Sequence, residues 1–326
     1  MSDFGIYVHW PFCAAKCPYC DFNSHVRSAI DEDRWTEAIV RELEWVRAQQ
    51  DAAPQVETIF FGGGTPSLMN GHAVAAIIDA IARLWPIAGD VEITLEANPA
   101  SADAARLRDY RIAGVNRVSL GVQALNDADL KFLGRLHDVA EARRALTMAL
   151  ANFERVSLDL IYARPDQTAR AWRAELEEAL AFGTEHLSLY QLTIEPGTPF
   201  AVHAQDGRLR IPDEDSAASL FELTQELTAA AGRPAYEISN HATPGRECRH
   251  NLIYWRYGDY AGVGPGAHGR LTLGRRRIAT SGERLPERWQ QKVSRDGHGY
   301  IEISPIEAGD AAHEHLLMNL RLSEGL

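Results

Sequence analysis

The chain has 326 residues, with 45 acidic against 33 basic side chains, a net charge of -12 and 45% hydrophobic residues. That length carries a large core in one barrel-sized domain or two smaller ones, and an acidic balance with no basic block argues against broad binding to nucleic acid or anionic membranes. No apolar run is long enough to span a bilayer, and Met-Ser-Asp-Phe-Gly lacks the basic start and hydrophobic stretch of a signal peptide, so a soluble, cytoplasmic protein with a small-molecule or protein partner is expected.

The first predicted strand, Phe4 to His9, sets Tyr7 and His9 on one face. It leads into Cys13, Cys17 and Cys20, a C-x3-C-x2-C cluster. Three thiolates offered to an iron–sulfur cube leave one of its four irons open. A cluster kept for structure or electron transfer takes a full protein set, usually four cysteines, whereas a missing ligand follows the logic of a catalytic metal site. Two plainer readings compete. The C-x2-C half alone suits a thioredoxin-like pair or half a zinc site. The first has no need of Cys13, and the second would have to reach Cys248, the remaining cysteine, across most of the chain. Such cysteine usage is no disulfide framework and suits a reducing compartment.

A helix is predicted to open at Asp31, with Glu32 and Asp33 favouring its N-terminal dipole and Trp35, Ile39, Leu43 and Val46 along one face. The second strand, Val56 to Phe61, enters Gly62-Gly63-Gly64-Thr65-Pro66-Ser67. Glycines there let the backbone approach a ligand and aim amide hydrogens at a carboxylate, ribose or phosphate. A tight strand-to-helix connection reads the same way, and the Gly-Lys-Ser/Thr of a Walker loop is absent. Helices follow at Gly71 to Leu84, Ala102 to Ala113, Ala140 to Ala151 and Thr168 to Ala181, between strands Val91 to Glu96, Arg117 to Val122, Val156 to Tyr162 and His186 to Leu192. After Leu192 the texture changes to turn-rich Glu195 to Pro199, a helix from Asp213 to Ala231 and irregular glycine-rich sequence, read as an added region that packs against or closes one side of the barrel.

Six alternating strand–helix units predict an α/β fold, a partial TIM-like (β/α)6 barrel with an added α+β C-terminal region. Such barrels place their chemistry at the C-terminal strand ends. Period-two alternation puts Glu92, Thr94 and Glu96 opposite Val91, Ile93 and Leu95, Asp159 opposite Val156, Leu158 and Leu160, and Gln123 opposite Val118, Leu120 and Val122. Any one of these polar residues would serve equally as a helix cap or a loop partner; Glu96, Asp159 and Gln123 together with Tyr7 and His9 of the first strand converge where a barrel binds its ligand.

The cysteine cluster, Gly62 to Ser67, Glu96-Ala97-Asn98-Pro99, Ser119 to Gln123 and Asp159-Leu160-Ile161-Tyr162, in this order, resemble the radical S-adenosylmethionine superfamily. More narrowly they are similar to the branch holding oxygen-independent coproporphyrinogen III oxidase and the haem chaperones. The resemblance implies that Cys13, Cys17 and Cys20 hold a [4Fe-4S] cluster whose open iron takes the amino and carboxylate groups of S-adenosylmethionine. It further implies that Tyr7 and Tyr19 line the cluster and the methionine end, that Gly63, Gly64 and Thr65 meet the amino group, and that Glu96, Gln123, Arg135 and Asp159 make further contacts. The residue types suit this: carboxylates accept from an ammonium or ribose hydroxyls, and an arginine pairs with a carboxylate.

Within the branch, Phe22 stands where the oxidase pattern carries a further cysteine, and residues 17–24 are similar to the chaperone subgroup. So is His250-Asn251-Leu252-Ile253-Tyr254-Trp255, the subgroup's proposed haem-binding element, with His250 as candidate ligand. An imidazole is a normal axial ligand and aromatic neighbours pack on a porphyrin; a histidine that merely bonds a loop is the plainer reading. Cys248 offers a rival thiolate or a covalent attachment point, against a buried inert thiol.

Implied partners are haem and a haem-accepting protein, respiratory ones among them, with a homodimer among the allowed assemblies. The alternative activity is decarboxylation of coproporphyrinogen III propionates to vinyl groups in porphyrin biosynthesis. Expected boundaries are 1–200 for the barrel and 201–326 for the accessory region, with the family's final helical domain lacking. One departure bears on the site: relatives read Gly-Leu where this chain has Ala163-Arg164, so the turn after Asp159 is expected to differ in shape.

Overall fold

A computed structural model describes residues 4–325. Six strands run parallel and follow one another in chain order: β1 (Phe4–Trp10), β2 (Val56–Gly63), β3 (Ile87–Ala97), β4 (Arg117–Gln123), β5 (Arg155–Tyr162) and β6 (His186–Gln191). The crossovers carry helices α1 (Glu32–Ala48), α2 (Gly71–Leu84), α3 (Ala104–Ala113), α4 (Asp127–Phe132), α5 (Val139–Asn152) and α6 (Ala169–Ala181). This is the partial (β/α)6 barrel expected from the alternation.

The helices begin where the sequence supplies an oxygen for the free amides of the first turn. Asp31 caps α1, Asn70 caps α2 and Thr168 caps α6, while Asp138 and Glu141 form a reciprocal capping box on α5. On α1 the predicted stripe of Trp35, Ile39, Leu43 and Val46 is buried. It joins one core with Ile6, Val8, Leu95 and Leu120 of the strands, Ile77 of α2 and Trp172 of α6. Burying this apolar surface is what holds helices to sheet, at roughly 25 cal/mol per Å².

The remaining elements are α7 (Pro199–Gln205), α8 (Glu214–Ala230), β7 (Ala235–Glu237), β8 (Asn240–Ala242), α9 (Arg249–Trp255), β9 (Asp259–Val263), β10 (His268–Leu273), β11 (Arg276–Gly282), α10 (Pro286–Asp296), β12 (Tyr300–Pro305) and α11 (Ala308–Asn319). The region packs against the barrel as expected, α8 on α6 and α10 on α1, but the expectation of a single side is corrected. It extends the barrel sheet at both edges, giving the order β12-β11-β10-β9-β1-β2-β3-β4-β5-β6-β8-β7. Strand β9 pairs parallel with β1, and β8 pairs antiparallel with β6. Glu42 of α1 ties the two parts together: its buried carboxylate accepts from the amides of Gly264 (2.7 Å) and Gly299 (2.6 Å) and from the indole of Trp289. Among the described residues no helix is long and apolar enough to cross a membrane.

Candidate functional site

Inside the barrel lies a cavity of about 660 Å³ whose wall includes Cys13, Cys17 and Cys20. The loop bearing them is held from several sides. Residues 12–13 pair with 25–26 as a short two-stranded sheet. The Asn23 side chain donates to Pro265 O (2.8 Å) and Arg284 O (2.9 Å), anchoring the loop to the C-terminal region. His9 Nε2 donates to Asn23 O at 2.9 Å, which leaves Nδ1 to accept from the Tyr7 hydroxyl at 3.0 Å. Burial pushes His9 down to about 4, so the ring is neutral and this tautomer is the one present.

Gly63 at the end of β2 and Gly64 and Thr65 after it line the same cavity, but their amide hydrogens are spent within the protein rather than aimed at a ligand. Gly63 N–H donates to Glu96 (3.3 Å), Gly64 N–H to Trp10 O (2.7 Å) and Thr65 N–H to Phe12 O (2.8 Å). The absence of side chains has a packing cause as well. A Cβ on Gly63 would stand 2.6 Å from the His9 ring, and Gly63 has φ +110, a left-handed conformation that favours glycine. The Thr65 hydroxyl donates to the Cys13 thiol at 3.3 Å, and Arg135 donates to the Cys17 thiol at 3.6 Å and to Gly121 O at 2.8 Å. Burial pushes the Cys13 thiol up, and the Thr65 bond works against that by favouring thiolate.

Glu96 and Asp159 are two of the acidic residues on the cavity wall, with Asp21 and Glu195. Burial first, and then the charge of Asp159, pushes Glu96 up to about 8. Asp159 is also raised by burial, although hydroxyls of Ser119 (3.0 Å) and Ser157 (3.1 Å) donate to it. Gln123 ends β4 at a register shift, with φ +75; a non-glycine residue held in the left-handed region is a strain that functional sites tolerate. Tyr19 also lines the cavity. Tyr7 does so only at second hand, stacking on the cavity-lining Phe60 with ring centroids 6.2 Å apart.

His250 lies behind that wall rather than on it. It is fully buried, and its ring stacks on Phe60 at 5.1 Å. Thr58 Oγ1 lies 2.6 Å from Nδ1 and the Tyr254 hydroxyl 2.5 Å from Nε2, so both ring nitrogens are engaged. Burial, and then the charge of Arg117, holds the ring neutral at about 3. The position is set by Glu92, whose carboxylate caps α9 by accepting the amides of Arg249 and His250, both at 3.2 Å. Cys248 is a buried thiol 3.6 Å from Glu92, pushed up to about 12 by burial, which makes it inert.

Several cavity residues escaped the sequence reading: Arg117, Ser119, His186, Ser188 and Tyr190. Their signal was the same alternation that found Gln123 and Asp159. Register pairs Ser119 with Ser157 and Asp159 with Ser188 across β4, β5 and β6, so one inward face carries them all.

The arrangement fits the cofactors that the motifs imply. Three thiols on one short loop face a common cavity, with a hydroxyl and a guanidinium directed at two of them, a donor set that stabilises thiolates toward iron. The cavity is within the range that encloses a nucleoside-sized ligand, and Glu96 and Asp159 supply acceptors for an ammonium or ribose hydroxyls.

Comparison with known proteins agrees with this geometry. The radical SAM superfamily model matches residues 7–179. The heme chaperone HemW of Escherichia coli (strain K12) is 41% identical over 328 residues, covering 99% of this chain and 84% of that protein. The mouse protein named radical S-adenosyl methionine domain-containing protein 1, mitochondrial, is 40% identical over 98% of this chain and 74% of its own length. In three dimensions, the coproporphyrinogen III oxidase HemN of Escherichia coli superposes with a TM-score of 0.82 over 98% of this chain and 76% of that one, at 20% identity, a likeness of fold.

Proposed function

Since the chain belongs to the radical SAM superfamily, in the group that includes the heme chaperones, we propose that it is a haem chaperone, binding haem and passing it to an acceptor haem protein. It would hold a [4Fe-4S] cluster through Cys13, Cys17 and Cys20 and S-adenosylmethionine beside it. The observation that carries this reading is the loop of three thiols at a barrel cavity, in a chain about 40% identical along nearly its whole length to proteins of that name. The oxidase reading has less behind it: the likeness there is of fold at 20% identity, and Phe22, exposed on the cavity wall, occupies the place of the oxidase's further cysteine.

When bound, the cluster supplies a single electron to a sulfonium. The chain's own residues bind and orient. Arg135 and Thr65 stabilise cysteine thiolates, Glu96 and Asp159 accept from the cofactor's amino and hydroxyl groups, and Tyr7 through His9 fixes the loop at Asn23. His250 would serve as haem ligand only by giving up its bond to Tyr254, because Nε2 has no free lone pair while the tyrosine is in place.

The test is anaerobic titration of the reconstituted full chain with haem, followed by its absorbance. One equivalent is expected to bind, and His250→Ala to weaken binding about tenfold, the worth of one lost ligand or strong hydrogen bond, with cluster iron unchanged. No binding by the intact chain overturns the chaperone reading; equal binding by His250→Ala removes His250 as the ligand. Vinyl-bearing product and 5′-deoxyadenosine from coproporphyrinogen III under reducing conditions would establish the oxidase instead.

A further inference from the structure

Arg117, the first residue of β4, is 2% exposed, and its side chain makes no hydrogen bond and no ion pair among the described residues; its Nε is left without any partner. A guanidinium is always charged and carries five donors, so burying it unpaired is among the costliest things a fold can do. The acidic groups near it are committed elsewhere. Glu92 pairs with Arg155 at 2.8 Å and caps α9, and Asp159 receives the hydroxyls of Ser119 and Ser157. Arg117 nonetheless belongs to the lining of the barrel cavity, the space a ligand fills.

We infer that Arg117 is the anion anchor of the cavity, taking a carboxylate of the bound ligand, and that this carboxylate is a haem propionate. The second half rests on the chaperone reading above. An arginine fork meets a carboxylate through two parallel hydrogen bonds, which match its planar geometry. The other carboxylate at hand belongs to the methionine end of S-adenosylmethionine, and position argues against it. Arg117 begins the strand that Gln123 ends; because of the register shift this stretch matches five residue steps of β5, which at about 3.3 Å each place its backbone roughly 16 Å below the strand exit. Arg135, bonded to Cys17, already stands at the cluster end. A carboxylate at Arg117 therefore comes from a molecule reaching deep into the barrel.

The experiment compares haem with its dimethyl ester, which keeps the ring and iron but has no propionate charge, on the reconstituted full chain, on Arg117→Gln and on Arg117→Lys. S-adenosylmethionine binding is measured on all three. The intact chain is expected to prefer haem over the ester by about tenfold or more, the span of one charged bidentate pair. Arg117→Gln should abolish the preference by weakening haem alone, and Arg117→Lys should retain part of it, with ester affinity and cluster iron equal throughout. Reading a preference within each protein keeps the result independent of a general loss of stability. Equal binding of haem and ester by the intact chain, or a preference undiminished in Arg117→Gln, overturns the anchor while leaving the chaperone reading standing. A loss in S-adenosylmethionine affinity with the preference intact assigns the arginine to that cofactor and overturns the propionate. Failure of both porphyrins to bind the intact chain removes the chaperone reading and the propionate together.

Discussion

The hydroxyl of Thr65 donates to the thiol of Cys13 at 3.3 Å, joining the glycine-rich exit of β2 to the cysteine loop after β1. A hydrogen bond to a cluster thiolate favours the more negative, reduced state and raises the reduction potential. Thr65→Val keeps the shape and removes the donor. The cluster is expected to assemble, with its midpoint potential lowered by up to about 60 mV, a tenfold change for a one-electron couple. An EPR-monitored redox titration measures it; an unchanged or raised potential would show that the bond does not reach the cluster.

Glu96 is pushed up to about 8 by burial and by its neighbour Asp159, so its carboxyl is mostly neutral at pH 7. A ligand ammonium or hydroxyl prefers the ionised form, and binding must release the proton. Affinity for S-adenosylmethionine should therefore rise with pH toward 8, at most about tenfold per unit, and level off above it. Glu96→Gln should weaken binding and remove this component of the pH dependence. Calorimetry in buffers of different ionisation enthalpy counts the protons; the same count in Glu96→Gln would rule out this carboxyl as their source.

Glu42 is raised from 4.5 to about 7 by burial, against the pull of three donors. A carboxyl whose folded value is raised contributes its full stability below pH 4.5 and loses it as the pH climbs through 7, because only the unfolded chain ionises freely across that window. Glu42→Gln should flatten this slope. It should also cost about 1–3 kcal/mol at pH 8, since an amide presents one acceptor where the carboxylate presents two and leaves a buried donor unpaired. Urea unfolding at pH 5, 7 and 8 decides the matter, and parallel slopes for the two proteins would contradict it.

Ala163 follows β5 with φ +56 and is buried. The turn after Asp159 holds a left-handed backbone that glycine takes freely, and alanine bears a strain of about 1–2 kcal/mol there. Arg164 is buried beside it, donating to Ile161 O at 2.7 Å and paired with Glu175 and Asp129. Ala163→Gly should stay within about 1 kcal/mol of the parent, because relief of strain, loss of a buried methyl and a looser unfolded chain nearly cancel. Ala163→Val should cost about 3 kcal/mol or more, from a β-branched side chain in that region and an overpacked core. Thermal unfolding compares them; a well-tolerated valine would mean that the turn is free to flip.

Local rules made much of the barrel legible. Strand alternation found the inward positions of Glu96, Gln123 and Asp159, and side-chain caps such as Asp31, Thr168 and Asp213 placed helix starts to the residue. These rules depend only on near neighbours along the chain. The same alternation already held Arg117, Ser119, His186 and Ser188, but a polar residue on an inward face does not announce whether it is paired. That takes partners from distant strands.

The sequence by itself determined the parallel strand–helix order, the cysteine spacing and the polar inward face, since each is a short-range pattern of side-chain size, polarity and backbone freedom. Only the tertiary structure decided that β9 lies beside β1 and that His250 is enclosed by Thr58 and Tyr254. It alone decided, too, that Arg117 is left without a partner while Glu92 is crowded with donors. Those outcomes follow from which charged and polar groups are buried together, and burial fixes their energy only after residues far apart in sequence have met.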